Sequence, residues 1–237
     1  MAVEILGRKV SRRCQELILS IYMQLDKPVV YEDNSNFNFN AFGAIISTPS
    51  HYVVYASKKL VGMAFETNIL HELFHGVQIT KKYPEVGSKI NDPIIHMFCS
   101  SLSSLVLDLE VNDKLASNGF DSSYFFNYRH NVLTDLAKRN FDKAQNNELL
   151  QKYLSVDLSL ALMTSSKNNY EKLVRLFETA PGDVLKNALI ITDFIKANGY
   201  NSPEKCFNCF TKILDTLDIW DYFGIHHNGQ SITRRNN

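Results

Sequence analysis

Residues Phe65–Gln78, FETNILHELFHGVQ, combine the apolar pattern of a buried helix with clustered polar side chains. Residues 71–75 read HELFH, an HExxH pattern. On an α-helix, residues four apart lie on the same face, so His71 and His75 can direct two imidazole nitrogens at one metal ion. Glu72 lies beside them and can act as a general base. The pattern predicts a zinc site that carries its own base.

The apolar residues around the motif predict that its helix is buried: Leu70, Leu73, Phe74 and Val77. Burying two imidazoles and a carboxylate without partners costs several kcal/mol for each group. A bound cation satisfies all three groups together. The alternative is a core helix that carries two histidines by chance, because short motifs also arise by accident.

The neighbouring segments predict where the motif helix begins and ends. Residues 51–57, HYVVYAS, are β-branched and aromatic and predict a strand that leads into the helix after a brief connection. Lys81, Lys82 and Pro84 predict the end of the helix shortly after His75.

A catalytic zinc site needs a third protein ligand and an open position for water, and one downstream helix supplies the candidates. Asp92-Pro93 predicts the start of that helix and Asn118-Gly119 its end. A mostly polar stripe lies beside an apolar face: the stripe is His96, Ser100, Ser103, Leu107 and Glu110, and the face is Ile95, Phe98, Leu102, Leu105 and Leu109. His96 and Glu110 are about 21 Å apart along the helix and cannot both bind one ion.

Glu110 is the preferred third ligand because acidic residues interrupt an otherwise apolar helix around it, in LDLEVND at residues 107–113. Asp108 and Asp113 are candidates to accept the free N–H of a ligating imidazole, a contact that fixes the tautomer and orientation of the ring. His96 is the alternative third ligand, and Asp108 or Asp113 could take that place instead.

These residues resemble the zincin metallopeptidases, and within them the gluzincins, in which a strand and an HExxH helix are followed by a helix that supplies a glutamate ligand. The resemblance covers residues 41–120. Residues 108–116, DLEVNDKLA, also resemble the E-x-E-A-N-x-F-A segment of the minimal ImmA/IrrE-type peptidases, which act on repressor proteins. The resemblance implies one Zn²⁺ ion held by His71, His75 and Glu110, with Glu72 as the catalytic residue.

We therefore expect a zinc-dependent metallopeptidase that cleaves a peptide or protein substrate with zinc-activated water. Candidates to stabilise the oxyanion or contact the substrate follow the ligand helix: Tyr124, Tyr128, Arg129 and His130. The strand Tyr52–Ser57 is expected to be an edge strand that pairs with the substrate backbone. The alternative is a non-catalytic protein that keeps the zincin scaffold and binds a partner through its C-terminal lobe.

Composition predicts a soluble, cytoplasmic protein. The chain has 237 residues, which is enough to bury a sizeable core, and its net charge of +0 offers no basic surplus for nucleic acid. Residues 1–24 lack the unbroken apolar stretch of a signal peptide or membrane span. Four cysteines are too few for a secreted disulfide framework. We expect no nucleic-acid partner and no membrane, and the oligomeric state is left open.

The predicted fold class is α+β, mostly helical, with a small antiparallel sheet next to the motif helix and a helical C-terminal lobe. Residues 1–120 are expected to form a zincin-like core and residues 121–237 the lobe, with a single domain as the alternative. A helix is predicted at Val3–Gln24, and the tail after Gly224 is expected to be mobile. Further predicted elements are strands Val29–Glu32, Ala44–Ser47 and Tyr52–Ser57, and helices Asn146–Leu162, Asn169–Thr179, Gly182–Lys196 and Pro203–Leu217.

Cys206 and Cys209 form a second pattern that metal sites use, since thiols three residues apart can share an ion or form a disulfide. His226-His227 could complete a Cys2His2 set, but the order and spacing fit no common zinc finger. A redox CxxC normally follows a strand, whereas this one lies in a helical region. We expect buried cysteines that behave as small apolar residues.

Overall fold

The structure of the protein, a computed structural model, describes residues 4–34 and 43–233, without the side chains of residues 124–126, 128, 129, 136, 138 and 140. Helices make up about 60% of the described residues and the sheets are small, which confirms the α+β class. The helices are α1 (Arg12–Tyr22), α2 (Gly62–Thr80), α3 (Pro93–Ser117), α4 (Ser123–Ala144), α5 (Glu148–Thr164), α6 (Lys167–Phe177), α7 (Val184–Asn198) and α8 (Pro203–Leu217). The strands are β1 (Glu4–Ile5), β2 (Arg8–Lys9), β3 (Val29–Asp33), β4 (Gly43–Ser47), β5 (Tyr52–Ala56), β6 (Glu85–Ser88), β7 (Phe223–His227) and β8 (Gln230–Ile232).

The chain divides into two compact units, each built from two segments. The first unit comprises Met1–Lys82 and Val111–Tyr124, and the second comprises Tyr83–Glu110 and Phe125–Asn237. The predicted boundary after residue 120 does not coincide with this division, because most of α3 groups with the C-terminal residues. α3 is one continuous helix that contributes residues to both units.

The first unit contains a three-stranded sheet in the order β3-β5-β4. β4 and β5 pair antiparallel as predicted, from Gly43 opposite Ala56 to Ser47 opposite Tyr52. β3 runs parallel to β5, so the sheet is mixed and not wholly antiparallel. The prediction that Tyr52–Ser57 is an edge strand is wrong, because β5 has a hydrogen-bonded neighbour on each side.

The motif helix α2 is buried as its apolar pattern predicts: Leu70, Leu73, Phe74 and Val77 are each at most 5% exposed. The helix also ends where the sequence indicates. The N–H of Lys81 donates to the carbonyl of Val77, Lys82 adopts a positive φ of 57°, and Pro84 follows. Left-handed backbone and a proline cannot continue an α-helix, so the position of the last turn is fixed.

The predicted N-terminal helix Val3–Gln24 is correct only in its second half. β1 and β2 form a short antiparallel hairpin, and α1 begins at Arg12. Leu6 and Gly7 at the turn have φ values of 52° and 77°. Two successive positive φ values reverse the chain in a tight hairpin turn, which excludes a helix there.

The second unit contains the first part of α3, whose start is as predicted. The carboxylate of Asp92 accepts hydrogen bonds from the N–H of Ile94 (2.7 Å) and Ile95 (3.2 Å), and Pro93 takes the first helical position. The predicted apolar face is buried in the core of this unit: Ile95, Phe98, Leu102, Leu105 and Leu109.

The four C-terminal helices that the sequence predicts are α5 to α8, and each observed end lies within two residues of the predicted one. α4 is a further helix that the breaker pattern did not delimit. The expectation of a mobile tail after Gly224 does not hold for residues 224–232, because β7 pairs with both β6 and β8. Phe223 and Ile225 alternate into the core with the period of a strand and are fully buried.

α3 is the one helix in the described part of the chain that could cross a membrane by length and composition. Its most apolar 18-residue window has a mean hydropathy of 1.5, and half of that window is buried inside the protein. Core helices of soluble proteins pass the same test, so α3 is weak evidence for a membrane span.

Candidate metal centre

His71 and His75 bring two ring nitrogens together on one face of α2. Their Nε2 atoms lie 3.0 Å apart, and the rings meet edge to face with centroids 4.7 Å apart. Two nitrogens bound to one tetrahedral zinc at 2.0–2.1 Å would be about 3.3 Å apart. Both side chains are half-buried. The pair can therefore bind one ion with little movement and remain open to solvent.

Gln78 fixes the tautomer of His75. Its Oε1 atom lies 2.8 Å from Nδ1 of His75, and the glutamine is only 2% exposed. Because an amide oxygen can only accept a hydrogen bond, this contact requires the imidazole proton on Nδ1. The lone pair then lies on Nε2, the atom that faces His71. This is the arrangement that a metal-ligating histidine needs.

Asp108 on α3 is a further candidate ligand, and its side chain is half-buried. A catalytic zinc site needs a third protein ligand beside two imidazoles. Two imidazoles and a carboxylate suit a divalent transition metal, zinc and ferrous iron among them.

Glu110, the predicted third ligand, has a different environment from Asp108. It is 6% exposed, and its carboxylate accepts a 2.9 Å hydrogen bond from the hydroxyl of Tyr83. Burial raises the pKa of Tyr83, and the bond to Glu110 raises that pKa further. Residues two apart on an α-helix point about 200° from each other, so Asp108 and Glu110 face opposite sides of α3. One metal ion could therefore be held by one of these two carboxylates, but not by both.

The other candidates on α3 are exposed. His96 lies near the start of the helix, about 18 Å along its axis from Asp108, and its Nε2 is 3.1 Å from Oδ1 of Asn91. Asp113 lies five residues beyond Asp108 and is exposed as well.

Glu72 is buried on the side of α2 that β4 covers. It is 7% exposed, and Asn68, one turn earlier on the same helix face, is 2% exposed. A Cβ atom added to Gly43 on β4 would lie 2.9 Å from Oε1 of Glu72 and 2.6 Å from Nδ2 of Asn68. The strand backbone therefore passes directly over the carboxylate of Glu72.

The predicted oxyanion and substrate residues lie on α4, and the structure describes the side chain of one of them. The side chains of Tyr124, Tyr128 and Arg129 lie outside the described part of the protein. His130 is half-buried, and burial followed by the charge of Lys172 lowers its pKa. Its role at the site stays a prediction.

The cysteine pattern has a structural environment. Cys206 and Cys209 are fully buried and donate hydrogen bonds to the carbonyls of Tyr200 (3.1 Å) and Gly199 (3.4 Å). Burial raises the pKa of Cys209 to about 11. All four cysteines of the chain are described, and none forms a disulfide. The geometry agrees with the expectation of small buried side chains.

Sequence reasoning missed three residues around the site: Gly43, Asn68 and Gln78. Asn68 and Gln78 carried a usable signal, because they are polar residues inside an apolar helix, one turn from Glu72 and His75 respectively. Gly43 carried no such signal, because its contact with α2 depends on how the strand packs.

No family model matches this chain, and no curated protein and no solved structure matches it either.

Proposed function

We propose that this protein is a zinc-dependent metallopeptidase in which His71, His75 and Asp108 hold the ion and Glu72 is the general base. One observation carries the proposal: the Nε2 atoms of His71 and His75 lie 3.0 Å apart on a helix that also holds the buried carboxylate of Glu72. We favour Asp108 over the predicted Glu110 as the third ligand, because the buried carboxylate of Glu110 already accepts a hydrogen bond from Tyr83.

The position of Glu72 favours zinc hydrolysis over iron chemistry. Two histidines and a carboxylate also bind ferrous iron in oxygenases, so the donor set alone does not choose between the metals. Glu72 adds a carboxylate directly after His71 in an HExxH helix, and hydrolysis needs such a group to take a proton from water.

The chain's own residues supply the proton transfers and the orientation of the ligands. A zinc ion in this site would act as a Lewis acid and make water available as a nucleophile near neutral pH. Glu72 accepts the proton from that water and returns it to the leaving amine. Gln78 holds His75 in the tautomer that presents Nε2. Burial of Glu72 strengthens its interactions because little water competes with them.

The peptide substrate would pair with β4 and not with β5. Among the described strands, β4 has β5 on one side and no strand on the other. β4 also passes over Glu72, as the contacts of Gly43 indicate. An extended peptide that adds to this edge has its main chain held by hydrogen bonds beside the general base.

The Glu72→Gln substitution tests the proposal because it keeps the shape of the side chain and removes the base. We expect unchanged zinc content and a fall in turnover on the order of 10²–10⁴ against a broad peptide library, measured as new N-termini. Glu66→Gln is the matched control, because it neutralises another carboxylate of α2, one that accepts hydrogen bonds from Ser11. It should leave turnover within about twofold.

The rival function is that of a non-catalytic scaffold that binds a partner. That protein would release no new N-termini before or after the substitution. Zinc bound by the wild type without hydrolysis that depends on Glu72 would overturn the peptidase proposal. Ferrous iron as the bound metal would also overturn it.

A further inference from the structure

One stripe of α2 packs beneath β4, and it includes the proposed base. Asn68, Glu72 and Gly76 follow one another at intervals of four residues and so share a helix face. Gly43 lies over Asn68 and Glu72, while a Cβ on Gly76 would lie 2.9 Å from Cδ1 of Ile45. Glycine therefore occurs on each side of the contact between strand and helix, at Gly43 and at Gly76.

Position 43 favours glycine because a larger residue would collide with α2, and not because of its backbone conformation. Its φ lies outside the positive range in which glycine is favoured, unlike Gly62 and Gly119, so an L-residue could adopt its backbone. The obstacle is the helix: an added Cβ would meet Nδ2 of Asn68 at 2.6 Å and both Oε1 and Cγ of Glu72, at 2.9 Å and 3.0 Å. Such a separation forces the neighbouring side chain or the strand to move.

We propose that Gly43 is a positioning residue for Glu72: the missing side chain leaves the space in which the carboxylate is held next to the metal ligands. The inference rests on the proposed function for its catalytic consequence. Cγ of Glu72 is among the crowded atoms, so a methyl group at position 43 displaces the stem of the side chain and not only its tip. Asn68 is only 2% exposed. It therefore leaves Glu72 little room to move towards the preceding turn of α2.

The test compares Gly43→Ala with Gly76→Ala. Both substitutions add one methyl group to the same contact between strand and helix, with nearest atoms at 2.6 Å and 2.9 Å, but only the first meets Glu72. For Gly43→Ala we expect zinc affinity within about threefold of the wild type and kcat lower by about 10- to 100-fold, with little change in KM. For Gly76→Ala we expect kcat within about twofold, because an alanine also favours the helix interior.

A second readout does not depend on turnover. Acetohydroxamate binds a protein-held zinc ion and donates a hydrogen bond to a neighbouring carboxylate, so its affinity for the zinc-loaded protein reports the position of Glu72. We expect Gly43→Ala and Glu72→Gln to weaken that affinity by a similar factor of about ten, and Gly76→Ala to leave it unchanged. If the wild type hydrolyses no peptide, the proposed function fails while the hydroxamate comparison still decides the role of Gly43.

Asn68→Ala provides a background in which the tightest contact of the added methyl group is gone. If Gly43→Ala unfolds, the double variant is compared with Asn68→Ala alone, and it should fold and still bind acetohydroxamate about tenfold more weakly, because the contact with Glu72 persists. Equal losses in Gly43→Ala and Gly76→Ala would overturn the proposal, since they would reflect packing alone. Wild-type kcat and hydroxamate affinity in Gly43→Ala would overturn it as well.

Discussion

Two helices of this protein carry pairs of side chains at metal-binding intervals, and the structure gives the two pairs different environments. On α2, His71 and His75 are half-buried and point their Nε2 atoms at each other, 3.0 Å apart. On α8, Cys206 and Cys209 are fully buried, and each thiol donates to a main-chain carbonyl just after the end of α7. The same kind of spacing yields converging donors in one helix and separately bonded thiols in the other.

Spacing decides which side chains share a helix face, whereas the neighbouring residues decide which donor atoms are available to a metal. Gln78 forms a hydrogen bond with Nδ1 of His75, which leaves Nε2 of His75 directed at His71. On α8 the sulfur atoms themselves form hydrogen bonds, with the carbonyls of Gly199 and Tyr200 as acceptors. A ligand pair therefore needs a neighbour that binds the other end of the side chain.

The largest expected effect is loss of the metal on replacement of a histidine. His71→Ala or His75→Ala should lower zinc affinity by more than about 10²-fold, because loss of a ligand exceeds the cost of changes around the ligands. Cys206→Ala/Cys209→Ala should keep the wild-type zinc content. Metal analysis of the purified proteins and competition with a chromophoric chelator measure both. Zinc that depends on the cysteines would reverse the comparison between α2 and α8.

The second prediction separates the two acidic residues of α3. Asp108→Asn should weaken zinc binding by more than about 10²-fold, whereas Glu110→Gln should change it by less than about threefold, because Glu110 faces the opposite side of the helix. The pair is matched, since each substitution neutralises one carboxylate. The same chelator competition measures it. The opposite ranking would restore Glu110 as the ligand.

Sequence patterns predicted the elements of the site better than its exact composition. The HExxH helix, its end near Lys82 and the start of α3 at Asp92-Pro93 follow from local rules about apolar periodicity and capping. The choice between Asp108 and Glu110 does not, because both lie in one acidic segment and contacts such as that of Glu110 with Tyr83 depend on tertiary packing.

Strand order was the other feature that the sequence could not supply. The pattern of Tyr52–Ser57 predicts a strand, but an alternation of side chains does not say which neighbours it pairs with. The parallel partner β3 lies 23 residues earlier in the chain and makes β5 the centre of the sheet. The contact of Gly43 with Glu72 depends on how β4 packs against α2, and it has no local signal in the sequence.

The third prediction tests the role of the neighbour at the histidine pair. Gln78→Leu removes the acceptor for Nδ1 of His75 and should lower zinc affinity by about 10- to 100-fold, the usual cost of losing such a partner. Gln78→Glu keeps an acceptor at the same place and should retain most of the affinity. Equal affinities in Gln78→Leu and the wild type would show that His75 needs no partner to hold its tautomer.

The smallest expected effect concerns stability at high pH and tests the burial of the thiols. Burial raises the pKa of Cys209 from 9.0 to about 11, against a smaller opposite effect of the Asn198 side chain. A pKa that is higher in the folded state gives stability that is fully present below pH 9 and is lost as the pH rises towards 11. The slope is at most about 1.4 kcal/mol per pH unit.

Denaturant unfolding of the wild type and Cys209→Ala between pH 8 and 11 isolates this contribution, because the other titrating groups are common to both proteins. We expect Cys209→Ala to be less stable at pH 8, since it lacks the buried sulfur, and the two curves to approach each other above pH 9. Parallel curves over the whole range would mean that the thiol ionises as readily in the folded protein as in the unfolded chain. Cys209 would then be accessible to solvent and to metal, and the contrast between α2 and α8 would lose its basis.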